Sequence, residues 1–472
     1  MKAAVAVAAA ALTVGALAAN VPNRIEARAT STASTSLPTV TVKGNAFFNG
    51  SDRFYIRGVD YQPGGSSSTT DPLADYSTCS RDIPYFQKLG LNTIRVYAVD
   101  NSVNHDACMN ALAEAGIYLV LDVNNPKYSL NRDNPAESYN PTYLQSVFAT
   151  IDAFAGYTNT LVFFSGNEVI NSANSTAAAP YVKAVTRDMK QYIGERGYRQ
   201  IPVGYSAADV SQNQYLLAQY LDCGTDTNAL SDFYAINNYE WCDPSSYVES
   251  GWSALVQQYS NYSLPLFMSE YGCITNTRKF QETSALYQPD MTSVFSGGLV
   301  YEYSQEGNGY GIVTINGNTV TPVGNQFTWL QEALANTSDP TNGGGYRENS
   351  GSTQPCPAQS SNWDTSPFTG DALPAMPSGA EQYMKNGAGA GPGLNGVGSQ
   401  DAAGGSSSTA SANAGAVTAT YGSGSPSSTG SSSSSSSSSS AASPLALGRM
   451  DLAPFACVAV TILSAAFGAA LL

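Results

Sequence analysis

Between Thr39 and Ala335, short runs of β-branched and aromatic residues alternate with longer stretches of helical period. The runs predict strands at 54–61, 93–99, 118–123, 160–168, 202–208, 233–239, 265–271 and 298–304. Helical patterns fall between them, at 83–89, 107–115, 143–154 and 179–193 among others. Such alternation implies parallel βαβ units, and about eight of them within ~250–300 residues imply an α/β fold closed into a (β/α)8 TIM barrel. A doubly wound open sheet is the competing architecture, but no G-x-G-x-x-G fingerprint follows the first strand.

The ends of the chain read differently. Met1-Lys2 precede an almost wholly apolar stretch ending in Ala16, Ala18 and Ala19, the form of a secretory signal peptide over 1–19, with a buried N-terminal helix as the alternative. A linker is expected over 20–38 and the barrel domain over 39–340. From Thr341 the chain turns rich in Gly, Asn and Ser, giving an extension over 341–400 tied back through Cys356. Residues 401–442, with unbroken serine over 431–440, cannot bury enough apolar area to offset ordering entropy. A disordered, O-glycosylated stalk is expected there. The apolar run 452–472 follows small residues (Ser440, Ala441, Ala442) and a polar spacer, the pattern of a GPI-anchor signal over 443–472. A single-pass helix is the competing reading. The expected address is secreted, on the outer face of the plasma membrane or in the cell wall.

Net charge is −15 with only 12% charged residues, which disfavours nucleic acid as a partner. The 29 tyrosines suit a surface that stacks on sugar faces while offering hydroxyls. Four N-x-S/T sequons, at Asn49, Asn174, Asn261 and Asn336, fit a secreted glycoprotein. The single histidine, His105, stands beside Asp106 at a predicted helix start and is expected at the surface. With it alone, and no C-x-x-C pair, no histidine triad and no metal site is expected, and no cofactor.

In a TIM barrel the chemistry stands where strands run into the following loops. Reading the strand ends collects Asp60, Tyr61, Gln62, Tyr97, Asp122, Asn167, Glu168, Asp209, Asn238, Tyr239, Glu240, Glu270, Tyr271, Tyr301 and Glu302 on one rim. LVFFSGNE delivers Glu168 at the end of the fourth barrel strand and PLFMSEYG delivers Glu270 at the end of the seventh. Glycosidic bonds are broken without metal by two carboxyl groups, one protonating the leaving oxygen and one attacking the anomeric carbon, about 5–5.5 Å apart in retaining enzymes. Packed so closely, the two cannot both ionise freely, so one pKa should rise and supply the neutral acid. Glu240, Glu302 and Glu306 are rivals on less cleanly apolar strands, and an ion-paired rim role is the bland alternative for each glutamate.

The segments RGVDYQPGG, NTIRVYAVD, FFSGNEV, SAADV, MSEYGC and SGGLVYEYSQE resemble the fungal GPI-anchored β-1,3-glucanosyltransferases of glycoside hydrolase family 72. The resemblance runs from about Thr39 to Cys356. It implies Glu168 as acid/base and Glu270 as nucleophile, with Gln62, Tyr97, Asp122, Asn167, Asp209, Tyr239 and Tyr301 lining donor and acceptor subsites and Asn131 and Arg132 beside them in the SLNRDNP loop. Gln214 stands where the family commonly has arginine, which leaves that subsite contact open. No cysteine-rich carbohydrate-binding module follows Cys356. The implied reaction cuts an internal β-1,3 linkage and passes the new reducing end to the non-reducing end of a second β-1,3-glucan. A hydrolysing endo-β-1,3-glucanase, or a non-catalytic wall-binding glycoprotein, are the alternatives.

Setting Cys457 aside in the tail, six of the seven cysteines remain, and they allow 15 pairings. Cys79 and Cys108 follow adjacent strands one and two, and Cys242 and Cys273 follow adjacent strands six and seven. Adjacent elements meet in space, so these two bridges are expected, and with them Cys223–Cys356.

Overall fold

The structure, a computed structural model, describes residues 37–351, 353–406 and 408–413. The signal peptide and the anchor signal, with most of the linker and stalk, lie outside the described residues. Eight parallel strands close a barrel: β4 (Ile56–Asp60), β5 (Thr93–Val96), β6 (Tyr118–Asp122), β7 (Thr160–Asn167), β8 (Val203–Ala207), β9 (Phe233–Asn238), β10 (Leu266–Tyr271) and β11 (Phe295–Val300). Every residue of β5, β6, β8, β9, β10 and β11 is buried, which is why these strands read as continuous apolar runs and not as alternating ones. The last strand starts earlier than expected, at Phe295, because Gly297 and Gly298 belong to it. Gly297 has φ +85, and a side chain there would overlap the carbonyl of Ile56 across the seam that closes the barrel.

Three further short strands, β1 (Val40–Lys43), β2 (Ala46–Asn49) and β3 (Asp52–Phe54), form an antiparallel sheet before the barrel. The predicted first strand, 54–61, overlaps β3 only at Phe54, and the sheet itself is not predicted. Phe47 from β2 packs on Phe233 and Phe267, with ring centroids 6.0 Å from each, so this sheet plugs the barrel end opposite the strand termini. Helices follow most strands. The first spans Tyr76–Leu89, well before the expected start at 83, because Asp75 caps it by accepting the Ser77 N–H and its first turn is polar.

His105 corrects the expectation of a surface site: it is 1% exposed. Its Nε2 lies 2.7 Å from Asp71 Oδ2 and its ring packs 4.5 Å from Phe154, so a carboxylate and an aromatic face replace the lost water.

After β11, the hairpin β12 (Val313–Asn316) and β13 (Thr319–Pro322) and the helix Gln326–Ala335 complete the barrel wall. The glycine-rich extension then folds back over it. Strand β14 (Leu373–Pro374) pairs with β15 (Thr409–Ala410), inside the stretch assigned to the stalk, and Trp363 and Phe368 are buried. Disulfides join Cys79–Cys108, Cys242–Cys273 and Cys223–Cys356. The third closes a sequence separation of 133 residues and pins the extension. Cys356→Ser is therefore expected to cost on the order of 2–5 kcal/mol and to lower Tm by several degrees, with faster proteolysis after residue 346. An unchanged Tm under reducing and non-reducing conditions would contradict it.

Candidate active site

Strands β7 and β10 bring Glu168 and Glu270 to the same end of the barrel. Glu270, next to last in β10, is 7% exposed. Its Oε1 accepts from Arg95 Nη1 (3.1 Å) and from the Tyr97 hydroxyl (2.8 Å), and its Oε2 accepts from the Tyr239 hydroxyl (2.7 Å). Burial pushes its carboxyl up to about 7; the guanidinium of Arg95 opposes this, the charge of Glu168 adds to it, and the two tyrosine hydrogen bonds oppose it. The sequence predicts a raised carboxyl that supplies the neutral acid; the raised one is instead Glu270, the residue expected as nucleophile, and burial outweighs the charge of its neighbour as the cause.

Glu168 sits one residue past β7 with φ 48, a left-handed backbone that non-glycine residues adopt at a cost. Its N–H donates to Ser206 O (2.9 Å), and Asn237 Nδ2 donates to its Oε1 (2.8 Å). The same Asn237 amide donates to Asn167 Oδ1 at 3.1 Å. Arg132 reaches over from its loop and donates to the carbonyls of Glu168 (2.7 Å) and Val169 (3.0 Å).

Beneath the pair lies Arg95, fully buried, stacked 4.2 Å from the Tyr97 ring and 4.7 Å from that of Phe164. It pairs with Asp122 (2.9 Å), Glu270 (3.1 Å) and Asp60 (3.8 Å), so three carboxyls share one cation. Among the described residues the Asp60 oxygens have no hydrogen-bond partner, and burial raises Asp60 well above the carboxylate range, with Arg95 opposing and Glu270 adding. Neither Arg95 nor Asn237 was picked out from the sequence. A lone arginine inside the apolar run TIRV was the available signal, since a buried charge demands partners.

The remaining expected site residues divide by position. Asp122 is saturated by Arg95, accepting at both oxygens. Gln62 is buried and occupied with scaffolding: its Oε1 accepts from the Tyr97 and Ala98 N–H groups and its amide donates to Thr70 O. Tyr239, Tyr301 and Tyr310 meet edge to face, with centroids 5.3–6.2 Å apart, and Tyr310 was not anticipated. Asn131 stands in the same loop as Arg132 and accepts from the Asp133 N–H. Asp209 is held by Asn238 (2.7 Å) and Gln214 (2.9 Å) and raised to about 6 by burial and by Glu240. Asp209, Asn238, Gln214 and Glu240 line a cleft of about 680 Å³ with Tyr215 and Trp252. Among the rivals, Glu240 is exposed, Glu306 accepts from the Gly64 N–H, and Glu302 is buried against Asn308.

A barrel presenting one carboxyl on strand four and a second, better held one on strand seven, flanked by tyrosines, is a place to look for sugar chemistry, and comparison with known proteins agrees. Residues 29–338 match the glucanosyltransferase family of glycoside hydrolases, family 72. The chain belongs to this family. The 1,3-beta-glucanosyltransferase gel1 of Aspergillus fumigatus is 62% identical over 358 residues, covering 76% of this chain and 78% of the relative. The corresponding enzyme GAS5 of Saccharomyces cerevisiae is 53% identical, covering 77% and 75%. A solved structure of a mutant of yeast Gas2p, in complex with laminaritetraose and laminaripentaose, superposes with a TM-score of 0.64 at 40% identity, covering 69% of this chain and 73% of that one. This family 72 chain therefore shares both fold and sequence with glucanosyltransferases along most of its length.

Proposed function

We propose that this glucanosyltransferase cuts an internal linkage of β-1,3-glucan and rejoins the new reducing end to the non-reducing end of a second glucan, with retention of configuration. The observation that carries the assignment of roles is the set of donors on Glu270. One guanidinium and two phenols aim at it, whereas a single amide faces Glu168. Hydrogen bonds donated to a carboxylate stabilise its charged form. These three donors favour the anion on Glu270 against its burial, so Glu270 is the nucleophile and Glu168, facing the open side of the pair, is the acid/base.

In the first step a Glu270 oxygen attacks the anomeric carbon while the C–O bond to the leaving sugar breaks and Glu168 passes its proton to that oxygen. A glycosyl ester on Glu270 results. In the second step the acceptor hydroxyl gives its proton to Glu168 and attacks the same carbon, releasing Glu270. Tyr239 and Tyr97 hold the ester oxygens in line; Tyr301 and Tyr310 offer faces on which an acceptor sugar displaces water. These steps call on two carboxyl groups alone. Outside the cell, the anchor signal at 443–472 would place the enzyme on the membrane face, and release by a phosphatidylinositol-specific phospholipase checks that.

The test is to incubate one reduced laminari-oligosaccharide with the protein and size the products. Paired longer and shorter species, all β-linked, are expected. Tyr301→Ala should shift the ratio several-fold towards free hydrolysis products, since one stacked face contributes on the order of 1 kcal/mol. Only shorter products from the wild type would replace transfer by hydrolysis.

A further inference from the structure

By composition, residues 388–406 (AGAGPGLNGVGSQDAAGGS) read as linker, yet they are laid along the barrel's loops, touching the one after β5 at Asn101 and then following the one after β6. The Gly393 N–H donates to Asn101 Oδ1 (2.9 Å), the Ser399 N–H to Lys127 O (2.9 Å), Gln400 Nε2 to Ser129 O (2.6 Å) and the Ser406 N–H to Tyr139 O (3.2 Å). From the barrel side Asn140 Nδ2 donates to Ser399 O at 2.7 Å. Two glycines are required by close approach. A side chain at Gly396 would overlap the Tyr128 hydroxyl, and one at Gly405 would overlap the Ala136 carbonyl.

The loop so clamped runs from β6 to the helix Pro141–Phe154 and has only one short helix, Pro135–Ser138, of its own. A connection of this length within a compact domain needs something outside it to fix one conformation. It carries Arg132, whose guanidinium holds the carbonyls of Glu168 and Val169. Those two carbonyls are Glu168's own and the next along the chain, so they hold the exit from its left-handed backbone, a conformation that persists only where its surroundings impose it.

We infer that Gly393–Ser406 is a positioning brace for the acid/base: it fixes the 123–140 loop, the loop fixes Arg132, and Arg132 fixes the backbone that aims Glu168. This rests on the reading of Glu168 as acid/base. The functional unit then extends to about residue 406, well past the barrel's last helix.

A double-mutant cycle on the whole protein tests it, with Gly396→Leu, Arg132→Ala and both together, each assayed for kcat, KM, Tm and hydrogen exchange over 123–140. Gly396→Leu is expected to lower kcat for transfer about tenfold with KM changed by less than about threefold. The double variant should be no slower than Arg132→Ala alone, because both act through one contact. Multiplying effects, unchanged exchange in the loop, or unchanged kcat once the loop has opened would each overturn the brace. Should Gly396→Leu not fold, Gly405→Leu with Gln400→Ala takes its place in the same cycle. A wild type that neither transfers nor hydrolyses would instead remove the proposed function and leave the brace without an activity to support.

Discussion

Glu270→Gln is expected to abolish both transfer and hydrolysis, by about 10³-fold or more, with the fold and Tm close to wild type. The amide keeps the side chain's volume, and its one carbonyl oxygen can still accept from Tyr97 while its NH2 donates to the Tyr239 hydroxyl, but it lacks the anionic carboxylate oxygen that forms the glycosyl ester. Glu168→Gln should also fall by about 10²–10⁴-fold, through loss of protonation of the leaving oxygen. The two separate on an activated glucoside whose leaving group departs unaided. There Glu168→Gln regains its first step and accumulates a covalent glycosyl-enzyme detectable by mass, whereas Glu270→Gln forms none. Ester formation in Glu270→Gln, or its absence in Glu168→Gln, would reverse or remove the assignment.

Both glutamates were legible because each ends an apolar strand, and a strand terminus on a barrel rim has a limited set of uses. The barrel itself was legible for the same reason: strands buried on both faces leave unbroken apolar runs between helical periods. The plug sheet β1–β3 was not, since strands of three or four residues leave too short a record of alternation to separate from a loop. The extension was hidden by composition. Glycine and serine predict a chain that cannot form its own core, but Gly393–Ser406 needs none, because it hydrogen-bonds to a surface that already exists. His105 misled for a related reason: its partner Asp71 is distant in sequence, in the loop after the first barrel strand, and only tertiary structure brings the two together. Likewise Asp122 and Gln62 are where the strand ends put them, but what they hold is the protein's own Arg95 and backbone.

Arg95→Met is expected to have the second largest effect, on stability and on activity together. The substitution keeps an unbranched side chain of similar reach but removes the guanidinium that lies over Tyr97 and Phe164, leaving Asp60, Asp122 and Glu270 without their shared cation. Removing one partner of a buried ion pair costs about 3–5 kcal/mol, so Tm should fall by several degrees at neutral pH. Arg95 holds the Glu270 carboxyl down against burial, so its loss moves that carboxyl above its present value of about 7. The nucleophile must be ionised, hence the acid limb of the kcat/KM profile shifts to higher pH. Stability moves the opposite way with acid. A carboxyl raised in the folded state binds more protons there than in the unfolded chain, so stability is greatest below the unfolded value of about 4 and declines as pH rises through the folded one. The variant's Tm should therefore recover on going from pH 8 to pH 5, more steeply than in the wild type. Arg95→Lys should restore part of the stability but little of the activity, because a single ammonium cannot hold Asp122 at both oxygens and Glu270 at once. An acid limb that stayed in place in both variants, with kcat unchanged, would show that Arg95 only supports the barrel and does not set the charge of Glu270.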